Sequence, residues 1–191
     1  MMKRLSYKMK VGMAILVSLF VSCKKDNTKP TDLTPTNENE LITTLELRFS
    51  GKGKLGSDTT FVVTFNDPDG DGGNIATQFD TINLLKNNSY KVDVSLLDKS
   101  KSPADTISNE VLEKANEHLF CYTSNPIGLV NVVITDKDGN GKNLGLKSTW
   151  TTSNTGSGKM KVKLMHQPGV KDGTSVTGST DVAVDFVLSV K

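Results

Sequence analysis

Two short stretches gather oxygen donors at the alternate spacing a calcium ion uses. Asp67-Pro68-Asp69-Gly70-Asp71-Gly72 follows the pattern D-x-D-x-D-G, and Asp136-Lys137-Asp138-Gly139-Asn140-Gly141 follows it with Asn in the third ligand position. Calcium takes roughly six to eight oxygens, and glycine permits the sharp turn that lets alternate side chains converge. The complete EF-hand loop also needs a bidentate Glu at its twelfth position. Gln78 and Lys147 stand there instead. EF-hands are therefore excluded, and what remains is a weaker, exposed calcium site on Asp67, Asp69 and Asp71 or on Asp136, Asp138 and Asn140. The competing reading, and the favoured one, is a glycine-rich hairpin whose Asp side chains bond their own backbone.

The two histidines, His118 and His166, are the other candidates for chemistry. His118 shares a strand face with Phe120 and Tyr122, and His166 ends the series Met160, Val162, Leu164, so both belong at the rim of an apolar core. A pair of imidazoles there would take a transition metal or haem iron. Zinc normally draws at least about three ligands from protein, and no third is evident in the sequence. The expected role is a hydrogen-bonded rim histidine, with metal or haem capture as the alternative. Cys121, between Phe120 and Tyr122, reads as a small buried hydrophobe rather than a nucleophile. No H-E-x-x-H, P-loop, dinucleotide fingerprint or nucleophile elbow occurs in a suitable context, and no carboxylate pair stands out, so no catalysis is expected.

The elements that must position these residues alternate with period two, the mark of half-buried strands. Leu45, Leu47 and Phe49 alternate with Thr44, Glu46 and Arg48. The same pattern runs through Phe61 to Phe65, Tyr90 to Leu96, Val130 to Ile134, Leu146 to Trp150, Met160 to Leu164 and Val182 to Val190. Gly- and Asn-rich turn signals separate these runs. The fold class is all-β, an antiparallel β-sandwich of immunoglobulin-like architecture. Ser102-Pro103-Ala104-Asp105 resembles a helix start, and Ile107, Val111 and Ala115 follow at helical spacing, so one short helix interrupts the strands.

The N-terminus has a different character. Lys3, Arg4, Lys8 and Lys10 precede an apolar run from Val11 to Val21, eleven residues long. That order is a secretory signal, and the run is well short of the roughly 20 residues a spanning helix needs. Leu19-Phe20-Val21-Ser22-Cys23 resembles a bacterial lipobox, although Phe20 stands where Leu is usual. The resemblance implies cleavage before Cys23, lipidation of Cys23, and attachment to membrane lipid. The expected organisation is a signal peptide over 1–22, a lipidated Cys and flexible tether over 23–40, and the sandwich over 41–191. The tether spans up to about 55 Å if fully extended. With Cys23 acylated, Cys121 has no intramolecular partner and a disulfide framework is excluded. The formal charge of +2 and the pI near 8.4 belong to the whole chain; removing the four basic groups of 1–23 leaves −2. No basic stripe with interleaved aromatics remains, which argues against nucleic acid.

The domain also resembles a family of short Bacteroidota envelope lipoproteins. The similar segments are Asn39-Glu40-Leu41-Ile42-Thr43-Thr44, Asp67-Pro68-Asp69-Gly70-Asp71-Gly72-Gly73, Glu117-His118-Leu119-Phe120, Gly145-Leu146-Lys147-Ser148-Thr149-Trp150 and His166-Gln167-Pro168-Gly169-Val170-Lys171-Asp172-Gly173. Some lipoproteins of this kind carry a charged export tag after the cysteine, and Lys24-Lys25-Asp26 is a partial one. The resemblance implies an outer-membrane lipoprotein, facing either the periplasm or the exterior. Its implied role is a binding or accessory module, or a purely structural one, working with an envelope protein partner such as a TonB-dependent transporter.

Overall fold

The computed structural model describes residues 41–70 and 73–191. The expected signal peptide, Cys23, the expected tether and Asp71 lie outside the described residues. Among the described residues ten strands form two sheets. The first has the order β3-β2-β1-β5-β8-β7, from β1 (Thr44–Lys52), β2 (Asp58–Asn66), β3 (Gln78–Phe79), β5 (Asn88–Leu97), β7 (Asn131–Ile134) and β8 (Lys147–Thr152). The second has the order β4-β10-β9-β6, from β4 (Ile82–Leu84), β6 (His118–Asn125), β9 (Gly156–His166) and β10 (Ser179–Val190).

Cross-strand register explains why the alternation works. Leu47 faces Val63 on one side and Val94 on the other, and Phe49 faces Phe61 and Val92. In the second sheet Val162 faces Val184 and Tyr122, and Met160 faces Phe186. Partners in register share a face, so each sheet collects one continuous apolar surface. The two surfaces meet in a single core. Phe79 of the first sheet lies edge-on to Phe186 of the second at 5.7 Å, and Tyr122 of the second lies edge-on to Trp150 of the first at 5.6 Å. Two polar side chains in this core are paired: Trp150 Nε1 donates to Ser148 Oγ at 2.8 Å, and Tyr90 Oη accepts the Leu85 N–H at 2.9 Å.

Two details depart from the alternation. The β4–β10 pair is parallel, with Leu188 opposite Ile82 and Val190 opposite Leu84. β4 is only three residues, leaves the first sheet directly after β3, and docks against the C-terminal strand. Backbone bonds from Lys86 N to Lys191 O and from Lys191 N to Leu84 O close that junction. The helix α1 spans Ile107–Glu113 and buries Ile107 and Val111. It begins later than Pro103 suggests. Asp98 and Asp105 exchange both backbone hydrogen bonds at 3.0 Å, which commits Asp105 to a closed turn. Lys101 braces that turn by an ion pair with Asp105. Among the described residues no helix is long and apolar enough to cross a membrane.

Candidate functional site

The histidines meet at the rim of the second sheet. His118 opens β6 and His166 closes β9, and the two are direct register partners. Their rings stack 4.9 Å apart and 9° from parallel. A short 3-10 turn, Ala115–Glu117, delivers the chain into β6, and the Gln167 N–H closes the other side by donating to the Glu117 carbonyl.

A third side chain joins them that the alternation does not reveal. In β10, Ser179 faces His166 and Thr180 faces Met165, but the next pair is Val182 with Leu164. Asp181 is therefore an extra residue, a β-bulge. Bulges re-aim side chains and bend the strand locally. Strict alternation with Ala183 and Asp185 would send Asp181 outward. Instead its Oδ2 lies 3.7 Å from His118 Nε2, and its side chain is 12% exposed. Asp181 Oδ1 is buried and accepts no hydrogen bond. On the outer side, His166 Nε2 lies 3.7 Å from Glu117 Oε2, with Glu117 43% exposed.

The hydrogen-bond chemistry fixes one tautomer. His118 Nδ1 lies 3.1 Å from the Lys114 carbonyl oxygen. A carbonyl only accepts, so Nδ1 carries the hydrogen, and in the neutral ring Nε2 is a lone pair. Burial pushes the His118 imidazolium below the ordinary histidine range; the Lys114 carbonyl opposes this and the neighbouring His166 adds to it. Burial pushes the Asp181 carboxyl up, with His166 working the other way. Desolvation thus disfavours charge on both members of a facing pair. Among the described residues no group of three or more His, Cys, Asp or Glu side chains is placed to hold a metal ion.

The acidic loops are hairpins. In the second, Asp136 Oδ1 accepts the Gly145 N–H at 2.8 Å and Oδ2 accepts the Lys147 N–H at 3.1 Å. Asp138 Oδ1 accepts the N–H groups of Asn140 and Lys142, each at 2.9 Å. Asp138 Oδ2 lies 2.8 Å from the Lys171 ammonium, which also donates to the Ala115 carbonyl. Burial works to raise the Asp138 carboxyl, but the hydrogen bonds from Lys171 and the loop backbone outweigh it and hold the group below the ordinary range. Asp136, Asp138 and Asn140, the alternative calcium ligands of this loop, thus lie in a turn of the self-bonded kind. Their carboxylates bond the backbone, and a lysine already occupies the place of a cation. Gly141, at φ 76°, closes the turn by donating to the Asp138 carbonyl. In the first loop Asp69 Oδ2 accepts Asn74 Nδ2 at 2.8 Å, and the Asp67 N–H donates to Thr43. The hydrogen bond from Asn74 draws the Asp69 carboxyl down.

Cys121 departs from its expected burial. It is half-buried and stands opposite Lys163 in register, on the face away from Phe120 and Tyr122. Burial raises its thiol above the ordinary range, with Lys163 opposing, which disfavours the nucleophilic thiolate. An open groove of about 460 Å³ lies elsewhere, along β2, lined by Phe61, Val62, Val63, Asp80, Thr81 and Asn83. No protein-family model, curated protein or solved structure matches the chain.

Proposed function

We propose that this protein is a membrane-anchored lipoprotein of the cell envelope whose β-sandwich serves as a non-catalytic binding or accessory module. The observation that carries the reading is the order of the N-terminus: four basic residues, a largely apolar run of eleven residues, then Ser22-Cys23. Acylation of Cys23 would anchor the domain through its N-terminus, since acyl chains contribute about 0.8 kcal/mol per buried CH₂. Placement beside a TonB-dependent transporter follows from the resemblance alone.

The test is Cys23→Ser. The variant is expected to lose detergent partitioning and acyl labelling while its sandwich keeps the wild-type circular dichroism. Equal partitioning of both proteins would overturn the anchor. Affinity capture of the lipidated protein from envelope extracts then tests the accessory role, and recovery of no envelope partner counts against it.

A further inference from the structure

We infer that the bare edge of β2 docks a second copy of this chain, the two β2 strands pairing antiparallel across a two-fold axis at Thr60. This inference does not rest on the anchor: it stands on the described sandwich and fails or holds separately.

The backbone groups show where the edge is open. Thr64 sends both of its own toward β3: its N–H donates to Asp80 Oδ2 at 2.9 Å, and its carbonyl accepts the Asp80 N–H at 3.0 Å. Period two sends those of Thr60 and Val62 the same way. β3 pairs only with Phe65 and Asn66, and among the described residues no backbone hydrogen bond reaches that side of Thr60 or Val62. Folds usually blunt such an edge by shortness, charge, proline or a covering segment. The other edge strands follow that rule. β3, β4 and β7 have two, three and four residues, and Phe120 of β6 donates its N–H to the Leu144 carbonyl. β2 has nine residues, and Thr59 to Asn66 contains neither charge nor proline. Beside the open stretch lies the groove of about 460 Å³, with Phe61 to Val63 on one wall and Asp80, Thr81 and Asn83 on the other.

Self-complementarity selects a second copy as the occupant. Pairing centred on Thr60 sets Thr60 opposite its counterpart and Asp58 opposite Val62 of the second copy, so each outward N–H meets a carbonyl. The two-fold axis makes every such contact twice. Thr59 of the second copy then stands opposite Phe61, at the groove. Past the paired stretch, the same register runs the β1–β2 turn of one copy alongside the β3 end of the other. Lys54 of that turn approaches Asp80, opposite in charge. Leu55, 96% exposed, approaches Phe79, 51% exposed. Asp58 is balanced by Lys52 of its own chain at 2.6 Å. The two Asp58 residues lie four positions apart along the pair, about 13 Å, so they do not oppose each other.

The test is sedimentation of the full chain in density-matched detergent, with thiol cross-linking in a Cys121→Ser background. Wild type should show a concentration-dependent dimer. Thr60→Pro removes an outward N–H and no bond to β1, a place where an edge strand accepts proline. It should weaken the dimer at least ten-fold. Val62→Lys adds a charge on the exposed face of the edge and should do the same. Thr60→Cys lies on the axis, where paired Cα atoms stand about 5.5 Å apart, and a short thiol cross-linker should join two chains through it. Thr64→Cys, whose edge Asp80 covers, should not be joined and serves as the control. A chain that stays monomeric overturns the proposal, including one whose edge takes a foreign extended peptide instead. A dimer unchanged in Val62→Lys, or cross-linked equally at Thr64→Cys, overturns it too. Circular dichroism separates lost pairing from lost folding, and if Thr60→Pro does not fold, Val62→Lys and the cross-link decide.

Discussion

Lys171 carries more of the fold than its position in a surface loop suggests. Its side chain is 3% exposed and its ammonium bridges Asp138 in the turn after β7 to the Ala115 carbonyl before β6. Three segments distant in sequence are joined by one charge. Removing one partner of a buried pair leaves the other charge unpaired, which costs about 3–5 kcal/mol. Lys171→Met should therefore destabilise by about that amount, read from urea denaturation. Lys171→Met with Asp138→Asn should recover part of it, because no buried charge is left. The pH dependence has a definite sign. The folded Asp138 carboxyl lies below its unfolded value of about 3.9, so its contribution is whole at neutral pH and is lost as pH falls through the lower folded value. Wild type should lose this increment on acidification below about pH 4. The double variant should lack it, and identical acid profiles for the two would refute the assignment. Nothing in the sequence near Asp138 announces this pair. The acid spacing suggests calcium, and the lysine that occupies the place lies 33 positions later.

At the scale of elements, strand positions were legible because a half-buried sheet imposes period two. Leu45, Leu47 and Phe49, and equally Met160, Val162 and Leu164, are buried as the pattern requires. The two departures have local causes. Pro103 resembles a helix start, but the Asp98–Asp105 bridge delays α1 to Ile107. Asp181 reads as a surface acid because a single inserted residue shifts the phase of β10, and no residue type marks the insertion. The rim histidines were legible by parity; their stacking and third partner needed the register. A different constraint acts at the opposite end of β9. A Cβ placed on Gly158 would lie 2.0 Å from the Asn125 carbonyl oxygen and 2.8 Å from Pro126. Real atoms do not approach so closely, so the end of β6 must move away. Gly158→Ala should cost about 1–3 kcal/mol in denaturation, in the range of overpacking elsewhere. Amide exchange should quicken around Asn125 while the His118 end stays protected. Unchanged stability would show that the end of β6 yields without cost.

For the sandwich as a whole, the question is whether the two sheets unfold together. Their inner faces form one cluster, running from Leu45 and Phe49 through Trp150 to Val162 and Phe186. Trp150 sits at the seam: Phe49 of its own sheet approaches edge-on at 5.2 Å and Tyr122 of the other sheet at 5.6 Å. It is the chain's one tryptophan and fully buried, so its fluorescence reports the contact between sheets. Far-ultraviolet circular dichroism reports the strands themselves. A face of either sheet alone would expose most of that apolar cluster to water, at about 25 cal/mol per Å². Neither sheet should therefore persist without its partner. The two signals should trace a single urea transition with the same midpoint, as a two-state domain of this size does. Fluorescence that changes at lower urea than the dichroism would mean the sheets separate before they melt. Addition of EGTA is expected to leave the midpoint in place, because the second acidic loop is held by its own backbone and by Lys171 rather than by an ion. Unfolding provoked by EGTA alone would return calcium to the fold and contradict the reading of that loop as a self-bonded turn.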